Sequence, residues 1–301
     1  MNKALKLKKK KNNPWFWFFM TPALVVYSAF WVMPIVLTGV ISFTDWKGTS
    51  KLLEASFVGL KNYTNLFTDS ILKVAIGNNL IYGLIMIAVV PVMAFIIAYF
   101  IENFIKRKML FRTIAYLPAI LPTIVVVLLW KWIYNPQYGL LNVILEFIGL
   151  GNLQTGWITN SSTALFAVTF TSIWKTAPVY FVLFLAGLQS VPQDLMEAAV
   201  LDGASRWQTI VHVTLPTIRR VTTIVYMLVF IDVFRVFELV YAMTNGGPGY
   251  YNTEMILTYA YKTTFANSNA SYGMAISMLL IGVVMAATAL QLNLTSKHDD
   301  D

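Results

Sequence analysis

Lys175 and Thr176 interrupt an otherwise apolar run, and Asp232, Arg235 and Glu238 punctuate another at intervals of three residues. Charged side chains in lipid-soluble stretches are expensive and mark candidate paths for a polar solute. With Ser172, these residues offer hydroxyl, ammonium, guanidinium and carboxylate groups suited to hydrogen-bonding a hydroxyl-rich molecule. A second reading is structural: an Asp232–Arg235 or Asp232–Lys175 ion pair that fixes helix packing. On one continuous helix, Asp232, Arg235 and Glu238 follow one side and can pair internally. Trp174, Tyr180 and Tyr226 add aromatic faces in the same spans. Aromatics form 15% of the chain, however, so the first reading of any one of them is a packing or interfacial-belt residue.

Other chemistries lack their groups. The chain has no cysteine, which excludes thiol catalysis, disulfides and thiolate metal sites. Its two histidines, His212 and His298, are too few and too far apart for a metal cluster. No G-x-x-x-x-G-K-[ST] segment is present to cradle a nucleotide. These absences argue against an intramembrane enzyme, and no catalytic residue is assigned.

The elements that carry the polar residues are long and apolar. The chain is 57% apolar and 12% charged, against about a quarter charged in a soluble domain. Six stretches, about 15–43, 74–101, 109–134, 163–189, 221–243 and 272–294, each reach the ~20 residues needed to cross a bilayer as a helix. Pro118 and Pro122 predict a third span that is kinked or begins late. The expected fold is all-α: a polytopic membrane protein with six transmembrane helices and little else.

Charge sets the expected orientation. Lys3, Lys6, Lys8, Lys9, Lys10, Lys11, Lys106, Arg107, Lys108, Arg112, Arg206, Arg219, Arg220 and Lys297 fall on one side of the alternating spans. The other side holds Lys47, Lys51, Lys61, Lys73 and Lys262. The positive-inside rule makes the first side cytoplasmic, with the basic N-terminus (1–14) and the tail (295–301) both inside. The net charge of +8 is therefore a topology signal with some contact to anionic lipid, and no nucleic-acid partner is expected. The first apolar run is too long for a signal-peptide core and reads as an uncleaved span. The acidic end Asp299–Asp301 reads as solvated.

One inside loop, 190–216, is too polar to span and too ordered for a plain linker. Pro192 and Asp194 predict a helix start, and Asp202-Gly203 a break. A second short helix over 204–213 carries Trp207, Ile210, Val211 and Val213 on an apolar side, with Leu215-Pro216 as its end. Such a hairpin suits either docking on a soluble partner or resting on lipid headgroups. On the opposite side, "TNGGPGYYNTE" must turn sharply at Gly246, Gly247 and Pro248.

Within "EAAVLDGASRWQTIVHVTLP", Glu197-Ala198-Ala199, Asp202-Gly203-Ala204, Ile210 and Leu215-Pro216 resemble the EAA loop of ABC-importer permeases, with matching spacing. "FVGLKNYTNLFTD", "FRTIAYLPAILP" and "IDVFRVFELVYAMTNGGPGYYNTEMILTYAY" are similar to carbohydrate permeases of the maltose and glycerol-phosphate type, larger-type subunit. The long second outside domain of the maltose-type subunit is absent, so nothing points to maltose itself.

The resemblance implies a type I ABC-importer permease fold in the cell (inner or cytoplasmic) membrane. It implies a second homologous permease, two ATP-binding subunits and an extracytoplasmic solute-binding protein. ATP and Mg would be bound by those partners, with no cofactor in this chain. Glu197, Ala198, Ala199, Asp202, Gly203 and Ala204 would form the coupling helix that meets an ATPase. Ser172, Lys175, Thr176, Asp232 and Arg235 would lie on the solute path. Gly246, Gly247 and Pro248 would face the binding protein. The rival class, a stand-alone secondary transporter or channel, needs its own coupling-ion site and does not need the EAA loop.

Overall fold

The computed structural model describes residues 14–296; the lysine-rich start, His298 and the acidic end lie outside them. Every regular element among the described residues is helical, apart from an isolated antiparallel bridge between Thr44 and Phe57. The first span joins α1 (Pro14–Tyr27), a π-helical turn (Ser28–Val32) and α2 (Met33–Ile41). Pro34 sits in the first turn of α2, where its missing N–H removes little.

A short α3 (Lys61–Leu66) leads into α4 (Ser70–Phe104). Asp69 caps α4, its Oδ1 accepting from the Ile71 and Leu72 amides at 2.8 and 3.0 Å. Next come α5 (Lys108–Ile120), α6 (Thr123–Ile133), α7 (Leu140–Phe147) and α8 (Ala164–Gln189). The 190–216 loop contains α9 (Gln193–Leu201), α10 (Arg206–Thr209) and the start of α11 (Leu215–Thr217). The chain finishes with α12 (Arg219–Arg235), α13 (Glu238–Thr244), α14 (Ile256–Tyr261) and α15 (Ala270–Ser296).

Four segments are long and apolar enough to span alone: Trp15–Ile41, Ser70–Phe104, Ala164–Gln189 and Ala270–Ala289. The pair α5 and α6 qualifies only together, bent by 94°. Proline explains that bend. The residue before a proline avoids the helical region, and Leu121 is extended (φ −66°, ψ 132°) ahead of Pro122.

The fifth expected stretch, 221–243, departs from a continuous span. It divides into α12, 17 residues and so ~26 Å long, and the 7-residue α13. Val236 (φ −62°, ψ 118°) and Phe237 (φ −142°, ψ −69°) separate them. Glu238 therefore opens a new helix and does not continue the face that carries Asp232 and Arg235.

Between apolar helices in a bilayer, close packing replaces hydrophobic drive, and small residues permit it. The main contact is α4 against α8, closed by Met86, Val90, Ala94, Phe181 and Phe184, all nearly inaccessible. Across from them α12 settles into two glycine notches. A Cβ on Gly83 would lie 2.7 Å from Val233 Cγ1, and one on Gly187 3.2 Å from Val221 Cγ2. The first span stays outside this bundle, with 6% of its most apolar window buried and α2 touching α15.

Candidate functional site

Both helix breaks face the same space. A cavity of about 470 Å³ is lined by Ser172, Lys175 and Thr176 of α8, Asp232 and Arg235 of α12, and Val236, Phe237 and Glu238 at the second break. Thr123, the first residue of α6, and Tyr82 of α4 complete its polar wall. All five residues expected on a solute path thus surround one cavity, although they come from two helices far apart in the chain. Irregular backbone at membrane depth is tolerated where it lines such a space.

The breaks are held by side chains from other helices. Lys175 Nζ donates to the Leu121 carbonyl at 3.2 Å and to Thr123 Oγ1 at 2.9 Å, one on each side of the α5–α6 bend. Asn79 of α4 donates through Nδ2 to the Val233 carbonyl at 3.1 Å, an acceptor stranded where α12 stops. Its Oδ1 accepts from the Ile256 amide at 2.9 Å, so one amide serves two elements.

Asp232 forms neither ion pair considered from the sequence. Its Oδ2 accepts from the buried Tyr180 hydroxyl at 2.6 Å. The Asp232 carboxylate is engaged by Tyr180, and Lys175 is committed to the α5–α6 bend. Tyr180 is therefore a buried hydrogen-bond donor to the cavity residue Asp232, while Trp174 packs edge-on against Trp130 at 5.6 Å. Tyr226 lines a different, apolar cavity with Trp207.

At the other end of the bundle, local chemistry shapes the 190–216 loop. The Ala204 amide donates to the Ala199 carbonyl at 3.0 Å and the Gly203 amide to that of Val200 at 3.1 Å, a Schellman closure of α9. It requires a left-handed residue, and Gly203 has φ +77°, with no atom within 4 Å of the place a Cβ would occupy. Ser205 and Gln208 then exchange hydrogen bonds of 2.8 and 3.3 Å as a capping box for α10.

Of the six residues expected to meet an ATPase, Glu197, Ala198, Asp202 and Gly203 are exposed and Ala204 is half-buried. Ala199 is buried, on the side of the chain's own return segment. Val200, Leu201 and Trp207 stand 68%, 87% and 72% exposed around them. The second helix also departs from expectation, because Leu215-Pro216 does not end it. A π-helical turn, Ile210–Thr214, carries the chain into α11, and the break comes at Ile218. Pro216 falls in the first turn after the wider winding, a position that tolerates a missing donor.

The glycine loop beyond α13 is rigidly tied. Asn245, Gly246, Gly247, Gly249 and Tyr251 all have positive φ. Beneath them the fully buried Glu254 binds Lys262 Nζ at 2.6 Å and accepts from Thr258 at 2.5 Å. The same ammonium donates to the Asn245 carbonyl at 2.8 Å, and the Glu254 carboxylate fills the place a Cβ on Gly246 would need.

A neighbouring anchor is Asp69, whose Oδ2 accepts from the hydroxyls of Tyr272 and Tyr259 at 2.6 and 2.7 Å. Burial raises its pKa, but the bonds from Tyr272, Tyr259 and the Leu72 and Ile71 amides outweigh this and hold it below the usual aspartate value. Burial, reinforced by that carboxylate, pushes the Tyr259 hydroxyl upward. Sequence reasoning missed Asn79, Asp69, Tyr180 as a donor, and Glu254. The one signal on offer was the position of Asp69 just ahead of a long apolar run.

The described residues thus form a helical bundle with a polar cavity at two interrupted helices and an exposed hairpin at one end. The chain belongs to the family of binding-protein-dependent transport system inner membrane components, whose model matches residues 92–294. It is 34% identical over 276 residues to the probable ABC transporter permease YurN of Bacillus subtilis, covering 91% of this chain and 93% of that one. It is 31% identical to the multiple sugar-binding transport system permease MsmF of Streptococcus mutans, with 97% and 99% covered. The trehalose/maltose transport system permease MalF of Thermococcus litoralis is also 31% identical, over 90% of each chain. In fold, the chain matches a bacterial ABC transporter that imports the acidic polysaccharide alginate, with a TM-score of 0.81, 21% identity, and 94% and 96% covered.

Proposed function

We propose that this chain is one permease half of an ATP-driven importer for a neutral carbohydrate. The observation that carries the reading is the cavity at the two helix breaks. Its charged groups are two cations, Lys175 and Arg235, and two anions, Asp232 and Glu238, so the formal charges cancel. A balanced, hydroxyl-bearing wall suits a neutral polyol better than a polyanion, and the relatives' names (multiple sugars, trehalose and maltose) point the same way.

The remaining parts follow the resemblance. A second permease completes the path, and two ATP-binding subunits that hold ATP and Mg engage Glu197–Ala204 from the cytoplasm. An extracytoplasmic solute-binding protein meets the loop at Gly246, Gly247 and Pro248. Both termini are cytoplasmic, as the distribution of lysine and arginine favours. The exposed Val200, Leu201 and Trp207 would be covered in that assembly. Hydrolysis belongs to the partners, and this chain transmits it.

The test is uptake by proteoliposomes holding the complete transporter with ATP inside, comparing radiolabelled neutral oligosaccharides with an acidic alginate oligosaccharide. ATP-dependent uptake of a neutral sugar is expected. Uptake of the acidic sugar alone overturns the charge argument, and uptake without the ATP-binding subunits overturns the importer.

A further inference from the structure

Lys175 is the one cavity cation whose hydrogen bonds straddle a helix break. Its ammonium, carried by α8, reaches Leu121 at the end of α5 and Thr123 at the start of α6, across the 94° bend. The Leu121 carbonyl is one that the bend strands, since the Val125 amide that would serve it in a continuous helix donates instead to the Pro122 carbonyl at 3.0 Å. An ammonium has three donors, and these two bonds leave one for the cavity that Lys175 lines. Glu238, from the second break, lines the same cavity. The same cation therefore joins the bend to the cavity.

We infer that Lys175 is a positioning residue for translocation: its two bonds hold the α5–α6 bend and thereby set the shape of the cavity. A solute oxygen that takes its third N–H shares the cation that fixes the span, so occupancy and bend angle are linked. This link to solute rests on the carbohydrate reading above. The holding of the bend does not, and it is testable with no sugar present. Charge-assisted bonds of this kind are about twice as strong as neutral ones, and the alternative is an orphan carbonyl at membrane depth.

The absence of native cysteines makes the measurement direct. In the assembled transporter, Ile114→Cys on α5 and Leu128→Cys on α6, both exposed in this chain, take spin labels whose separation reports the bend by pulsed electron resonance. A single narrow distance population is expected for the parent. Lys175→Met should broaden or shift it and lower ATP-driven uptake at least about tenfold. Thr123→Val, which removes one bond with little change of shape, should give a smaller change of the same sign. Lys175→Arg, which keeps both donors, should restore most of the parent distribution.

An unchanged distribution in Lys175→Met overturns the inference even if uptake falls, since Lys175 would then act on solute alone. Equal broadening in Lys175→Arg and Lys175→Met overturns it too, because the cause would be side-chain shape and not the donors. Failure of all sugars in the uptake assay, with the bend responding as expected, counts against the carbohydrate reading only.

Discussion

The 190–216 hairpin and the polar cavity are built by opposite means. In the hairpin the turn and the caps are set by local bonds: Ala204 to Ala199, Gly203 to Val200, Ser205 with Gln208. In the cavity every shaping bond crosses the bundle: Lys175 to Leu121, Tyr180 to Asp232, Asn79 to Val233. A segment that must present one rigid face to another molecule is specified by caps and a glycine. A space that must change shape between helices is held by polar ties between them, each breakable without unfolding a helix.

The sharpest way to break the contrast is Gly203→Pro. Proline fixes φ near −65°, whereas Gly203 sits at +77°, so the closure of α9 cannot form. ATP-driven uptake and solute-stimulated ATP hydrolysis should fall to background while the chain still inserts and assembles, which co-purification of the subunits checks. Gly203→Ala separates shape from contact: nothing crowds a Cβ there, so only the strain of a left-handed alanine remains, about 1 kcal/mol, and uptake should persist in reduced form. Normal uptake by the proline variant removes the hairpin from the mechanism.

In the cavity, Tyr180→Phe deletes one bond to Asp232 and leaves the ring. Uptake should drop about tenfold, from loss of about 1.5 kcal/mol at a charged acceptor, with assembly and thermal stability nearly intact. If stability collapses and uptake per assembled transporter does not change, the Tyr180–Asp232 contact is packing and the contrast blurs. Asn79→Leu comes next. It strands the Val233 carbonyl and the Ile256 amide together, so the purified protein should lose about 1–3 kcal/mol, read as a lower midpoint of thermal unfolding.

The same contrast explains how far the sequence could be read. Apolar length and the distribution of lysines reveal a helical membrane bundle, and Pro122 reveals the bent third span. The spacing around Glu197 and Gly203 marks the hairpin because its chemistry is contiguous. Ser172, Lys175, Thr176, Asp232 and Arg235 were detectable as polar anomalies in apolar runs, and they do converge on one cavity. Their partners were not legible. The interruption at Val236-Phe237 has no proline or glycine to announce it, and its support comes from Asn79, 154 residues earlier. Pro216 misled for the complementary reason: a π-helical turn absorbs it, and no local rule distinguishes that from a helix end.

The smallest effect concerns Asp69, which joins the start of α4 to α14 and α15 on the glycine-loop side. It resembles the hairpin in capping its own helix and the cavity in drawing Tyr259 and Tyr272 from afar. Its native pKa lies below the ordinary value near 3.9, so the folded state binds the proton less readily than the unfolded chain. The stabilisation is therefore fully present above about pH 4 and is lost as pH falls through the lowered native value. Asp69→Asn keeps an N-cap acceptor but removes the charge. The unfolding midpoint of the parent should exceed that of the variant by a constant margin from pH 7 to 5, and the margin should shrink below about pH 4. A margin that stays constant through the acid range would mean that the carboxylate charge is immaterial and that Asp69 acts only as a cap, a local device like those of the hairpin.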